Sequence, residues 1–131
     1  MSRISLLAAF GRVLIAIMFI FSGLGKIASP EATQGYIAAA GLPLPLLSYL
    51  LAIAVEVGGG VLLVIGFQTR IVSLVMAIFT LATAAFFHND FADQNQMIHF
   101  LKNISIAGGL LQISAFGAGA FSIDGGRRHK T

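Results

Sequence analysis

The chain has 131 residues, 57% of them hydrophobic and only 10% charged, whereas a soluble domain carries about 25% charged residues. A mean hydropathy of +0.92 says that much of the surface of this one domain meets something other than water. The net charge of +3 comes from Lys and Arg at the chain ends and between apolar blocks, with no basic stripe interleaved with aromatics, and there are no cysteines; nucleic acid is excluded as a partner, and so are disulfides, thiolate metal sites and dithiol redox chemistry.

Crossing the hydrocarbon takes about 20 mostly apolar residues in a helix, and four segments qualify. The first runs from about 5 to 25 and carries one charge, Arg12. Arg3 in front of it gives a superficial likeness to a signal peptide. Arg12 interrupts the apolar run, however, and no small-residue cleavage site follows, so the segment is read as a retained span. In the connection from Lys26 to Pro43, Pro30 and Glu31 predict a fresh helix start, and Gly41-Leu42-Pro43-Leu44-Pro45 ends that helix. The second span, 44–66, carries only Glu56. Gly66 to Arg70 is a tight turn, which makes spans two and three antiparallel neighbours. The third span, 71–87, has no charge; a polar loop with Asp90 and Asp93 follows it. The fourth, 98–119, contains His99 and Lys102, and the chain closes on a short, Gly-rich, basic tail.

The expected fold is all-α: a polytopic membrane four-helix bundle forming a single domain over 1–131. A soluble bundle would need polar helix faces at period 3.6, and these segments are apolar almost all round. Lys and Arg are retained on the cytoplasmic side of a membrane. Arg3, Arg70, Arg127, Arg128 and Lys130 all fall on the side of the two ends. Both termini are therefore expected in the cytoplasm.

Several stretches resemble one family. Arg12 is followed by Ser22-Gly23-Leu24-Gly25-Lys26, then by Glu56-Val57-Gly58-Gly59-Gly60 and Leu62-Leu63-Val64-Ile65-Gly66. His88 closes span three, Phe100-Leu101-Lys102-Asn103 opens span four, and Gly108-Gly109-Leu110-Leu111 precedes an ending Gly117-Ala118-Gly119-Ala120-Phe121-Ser122-Ile123-Asp124. Together these are similar to the DoxX family of small bacterial four-helix inner-membrane proteins. The resemblance implies a bacterial inner-membrane location and an accessory role beside quinone-linked redox or detoxification partners.

An ionisable group inside a membrane needs a partner or a wet cavity, because at a helix centre it costs about 2.5–3.5 kcal/mol. Counted from the outer ends of their spans at about 1.5 Å per residue, Arg12 and Glu56 lie at similar depth. An Arg12–Glu56 ion pair is expected, with Gln112 of span four hydrogen-bonded to it. Ala52, Gly59, Gly60 and Leu63 share the Glu56 face and form a groove for close helix approach. A second group, Lys26, His88, His99, Lys102 and Asn103, gathers near the outer surface. On span three, Ser73, Ala77, Thr80, Ala84 and His88 make a small, polar seam; on span four, His99, Lys102, Ser105, Gly109 and Gln112 make its counterpart. Two such seams facing each other form a cationic, imidazole-bearing cleft suited to a quinone carbonyl or a lipid head group. The bland reading is that the His side chains are interfacial and that Lys102 snorkels outward. Bis-histidine haem is disfavoured because both His lie near water, and His88, Asp90, Asp93 and His99 match no metal-ligand spacing, so no metal site is expected. The alternative to the quinone-linked role is a small carrier or membrane organiser, homo-oligomeric through small-residue faces at Gly59 and Gly109, that recruits a soluble partner by its basic tail.

Overall fold

The computed structural model describes residues 3–128, with the side chains of Arg127 and Arg128 outside the description; Lys130, counted above in the basic tail, also lies outside it. Helix α1 spans Arg3–Ala28 and a short α2, Pro30–Ala39, follows after one residue. A continuous rod then runs over Pro45–Ile65. It consists of α3 (Pro45–Ile53), a wide π turn (Ala54–Gly58) and α4 (Gly59–Ile65). Helices α5 (Thr69–Phe87), α6 (Gln94–Phe116) and α7 (Ile123–Arg128) complete the fold, and no strand occurs among the described residues.

The expected punctuation explains most of these boundaries. Pro30 and Pro45 occupy first-turn positions of α2 and α3, where a missing N–H costs nothing. Asp93 caps α6 by accepting from the Asn95 N–H at 2.9 Å, so this helix starts four residues before the expected 98. It ends at Phe116 rather than 119, because Gly117 and Gly119 adopt φ of +83° and +86°, outside any helix. The expected basic tail instead begins with a helical turn, α7, packed back on the bundle.

Three of the helices, Arg3–Ala28, Pro45–Ile65 and Thr69–Phe87, are long and apolar enough to cross a membrane. Between 17% and 33% of their apolar windows is buried in the bundle. The large remainder, including Leu7, Phe10, Phe21, Leu47 and Ile78, is exposed. A water-soluble fold does not tolerate that much apolar surface, whereas lipid requires it. This is an all-α polytopic membrane protein. Helix α6 has the length of a span, but Gln94, Asn95, Gln96, His99, Lys102, Asn103 and Gln112 make it the most polar of the four long rods.

The packing is built as two pairs around one hub. Helix α1 lies along the π turn and α4, and α5 pairs along its length with α6. The core joins Ala16, Phe19, Leu63, Met76, Ala77, Ala107 and Leu110. Two hydroxyls on the buried face of α5 are satisfied by the helix itself: Ser73 donates to Thr69 O at 2.6 Å and Thr80 to Met76 O at 2.7 Å, the usual solution in a dry interior. Gly66 closes α4 in the left-handed region at φ +69°, a C-cap that favours glycine. A Cβ there would also collide with Ser122 and lie 2.8 Å from Arg12 Nη1. The turn after Ile65 is therefore the seat on which the C-terminal segment rests.

Candidate functional site: a buried carboxylate at the foot of an apolar cavity

Against the rod Pro45–Ile65, helix α5 touches α4 and the π turn and diverges from α3 beyond them. The wedge left between the two helix pairs is a cavity of about 390 Å³, covered by α2. Its walls are apolar, with Phe19, Ile37, Leu51 and Phe79 among them. Its polar groups are Ser22 and Lys26 from α1, Thr33 and Tyr36 from α2, Ser48 from α3, Glu56 from the π turn, Thr80 and Thr83 from α5, and His88 and Asn103. A concave, mostly apolar space with a handful of convergent polar groups is the usual form of a small-molecule site. Tyr36 of α2 stacks on Phe87 with centroids 5.1 Å apart and ties the covering helix to α5.

Glu56 sits on the π turn, a wide helical loop that recurs at functional sites. The residue is only 4% exposed. Its Oε1 accepts from Lys26 Nζ at 2.9 Å and from the Ser22 hydroxyl, and Lys26 Nζ also donates to Ser22 Oγ at 3.0 Å. Its Oε2 is buried without a hydrogen-bond donor among the described residues. The close approach of α1 that makes this possible depends on Gly23: a Cβ there would run into the Val57 side chain and lie 3.2 Å from Glu56 Cβ. Ser22 and Lys26, four apart on α1, thus face the carboxylate on either side of a backbone-to-backbone contact. Tyr49 locks the end of α1 by donating to Lys26 O at 2.7 Å.

The expected Arg12–Glu56 pair does not form. Arg12 donates from Nη1 to Ala118 O at 2.8 Å and from Nη2 to Phe121 O at 2.7 Å, and the Asp124 carboxylate acts on it electrostatically. The reason is stagger. Gly23 is level with Glu56 and Arg12 is level with Gly66, so the two charges lie about 15 Å apart along the axis at 1.5 Å per residue. Depth counted from the expected span ends misses this, because α3 begins well beyond the end of α1. Gln112 joins neither group: it is exposed on α6.

Of the five residues expected to bind a ligand, Lys26, His88 and Asn103 line the cavity. Asn103 Nδ2 donates to Thr83 Oγ1 at 3.2 Å and to Thr80 O at 3.4 Å. His88 Nδ1 lies 3.3 Å from Gln96 Oε1. His99 stacks on His88 with ring centroids 5.1 Å apart but is itself exposed, and Lys102 is exposed. The span-three seam is buried as expected at Ser73, Ala77, Thr80 and Ala84. Its proposed counterpart is not. Helix α6 buries Ala107 and Leu110 and turns Lys102, Ser105 and Gln112 outward. The small-residue faces expected to join copies are partly consumed inside the chain: Gly59 abuts Met76, Gly60 abuts Ile20 and Ala16, and Gly109 faces Ile15.

Two features escape the sequence reading. Ser22 is the first, although its spacing of four from Lys26 signals a shared helix face. Asp124 is the second. Its two carboxylate oxygens accept from the Gln68 and Thr69 N–H groups at 2.9 and 2.8 Å, capping α5 from the far end of the chain. The signal was an absence: Gln68 offers α5 no side-chain cap of its own, so the first N–H groups of the helix needed an acceptor from elsewhere.

No solved structure matches the chain. It is 44% identical to inner membrane protein YqjF of Escherichia coli K12 over 113 residues, covering 86% of this chain and 85% of that one. It is 36% identical to inner membrane protein YphA of the same organism over 124 residues, covering 90% and 88%. The DoxX family profile matches residues 7–89, the stretch that supplies every cavity residue named above except Asn103. On these matches the chain belongs to the DoxX family.

Proposed function

We propose that the protein is an accessory subunit of a quinone-linked redox or detoxification system in the bacterial inner membrane, and that its cavity holds a quinone-like or lipid head group. The observation that carries this reading is the cavity itself: about 390 Å³ of mostly apolar space with Lys26, Glu56, His88 and Asn103 on its wall. It lies at the end of the bundle away from the C-terminal segment. At that other end Arg12, Gly66 and Thr69 are joined to the segment by hydrogen bonds, which favours a single-ended binding site over a through-path. The relatives' names support the inner-membrane location. In this reading α6 is the fourth span, the domain is one four-span unit, and both ends face the cytoplasm, since Arg3 and Arg70 share one end of the bundle with the C-terminal segment.

Gentle extraction followed by mass spectrometry of bound small molecules tests the reading. A quinone or lipid should co-purify and fall about tenfold or more with His88→Ala, while Lys102→Ala leaves it unchanged. Loss on Lys102→Ala with retention on His88→Ala places the site elsewhere.

One observation favours the organiser alternative beside it. Lys102, Ser105 and Gln112 are exposed on a long helix, and nothing lies within 4 Å of a Cβ built on Gly108. In lipid such a stripe seeks a partner, and a second copy of this chain supplies one. As the chain has no cysteine, Ser105→Cys is a clean probe. Oxidative cross-linking in membranes should give a dimer, while Leu14→Cys on the apolar face of α1 should not.

A further inference from the structure

Glu56 lines the cavity and carries a buried acceptor that no donor among the described residues meets. Oε1 is shared by Ser22 and Lys26, while Oε2 is buried and receives no hydrogen bond. A buried acceptor left unsatisfied costs about 1–3 kcal/mol, and more when it is charged, so a donor brought in by a ligand gains that energy back. The nearby donors, by contrast, are largely committed. Lys26 Nζ serves Ser22 and Glu56, and Asn103 Nδ2 serves Thr80 and Thr83. The Thr80 and Thr83 hydroxyls serve Met76 O and Thr80 O. Beside Glu56 a ligand carbonyl competes with these partners for its donors, whereas a ligand hydroxyl finds an acceptor waiting. The aromatic walls, Phe19, Phe79 and Phe86, suit a flat, apolar ring.

We infer that the cavity selects a ring-bodied, apolar ligand by an O–H group that donates to Glu56 Oε2: a phenol or hydroquinone, in preference to the matching ether or quinone. This rests on the reading that the cavity binds a quinone-like molecule, and it gives that ligand a polarity. The reduced, hydroxyl-bearing form is the one held, and the oxidised form is the one released. Lys26 and Ser22 occupy the other oxygen, Oε1, and Gly23 allows α1 close enough to place them.

The test uses pairs that differ only in the hydroxyl. Purified protein in detergent is titrated with 4-propylphenol and with its methyl ether, and with a short-chain hydroquinone and its quinone under anaerobic conditions. Wild-type protein should prefer each O–H compound on the order of 10- to 100-fold, the range expected of one hydrogen bond to a charged acceptor. Glu56→Gln keeps the size but offers an amide, and should bring both ratios close to one. Lys102→Ala, exposed on α6 and outside the cavity lining, should keep them. Equal affinity within both pairs on wild-type protein overturns this inference and leaves the cavity reading intact. No binding of any of the four, quinone included, overturns both. A preference that survives in folded Glu56→Gln also overturns the inference, because the selecting group is then another residue.

Discussion

Lys26→Ala is expected to destabilise the protein more than Glu56→Ala, although the two residues form one ion pair. The Lys26 side chain is 30% exposed and that of Glu56 only 5%. Removing the ammonium strands a carboxylate in an apolar interior, and breaking a buried pair in this way costs about 3–5 kcal/mol. Removing the carboxylate leaves a long, flexible cation near the end of α1, free to swing towards water, at a smaller cost. Replacing both by apolar residues of similar size, Lys26→Met with Glu56→Leu, should recover much of the loss, since the desolvation penalty then disappears from both sides. Unfolding in detergent micelles, read as a double-mutant cycle, measures all three. Equal losses in the two single variants, or strictly additive ones, would show that the pair is not buried as described.

Arg12→Ala is expected to release the C-terminal segment. Its guanidinium is the donor that holds Ala118 O and Phe121 O, and hydrogen bonds to a charged group contribute about 1.5–3 kcal/mol each. Asp124 keeps its contacts with Gln68 and Thr69 but loses a nearby cation. The loss should therefore be several kcal/mol, and larger than the roughly 0.5–2 kcal/mol of an ordinary lost helix cap expected for Asp124→Ala. Limited proteolysis reads the release directly: cleavage after Phe116 should accelerate strongly in Arg12→Ala and moderately in Asp124→Ala. Unchanged cleavage in Arg12→Ala would mean that the segment is held by packing alone. Combined with Glu56→Ala, the Arg12→Ala loss should add to within about 0.5 kcal/mol, as expected for sites well separated in space.

These two results also mark where sequence reading succeeds and fails. The helices were legible because lipid forces them: a run of about 20 apolar residues has one way to satisfy its backbone, and Pro30, Pro45 and Gly66 mark ends among them, whereas Asp93, read as part of a polar loop, caps α6. The buried face of α5 was legible from its small and polar side chains at helical spacing. The buried face of α6 was not. A polar stripe in a membrane helix argues for burial, yet here Ala107 and Leu110 face α5 and Lys102, Ser105 and Gln112 face out. Lys26, His88 and Asn103, three of the five candidate ligand contacts, line the cavity, while Ser22 and Glu56 stand outside that group because depth counting pairs Glu56 with Arg12.

Composition and run length alone determined that this chain is helical and solvated by lipid, since both follow from the backbone's need for hydrogen bonds in hydrocarbon. Which charge meets which was decided only by tertiary structure. A side chain reaches a few ångströms, and partners are chosen by the axial stagger of α1 against Pro45–Ile65, by the π turn that presents Glu56, and by the fold-back of the C-terminal segment onto Gly66. Residue spacing within one helix encodes none of these three.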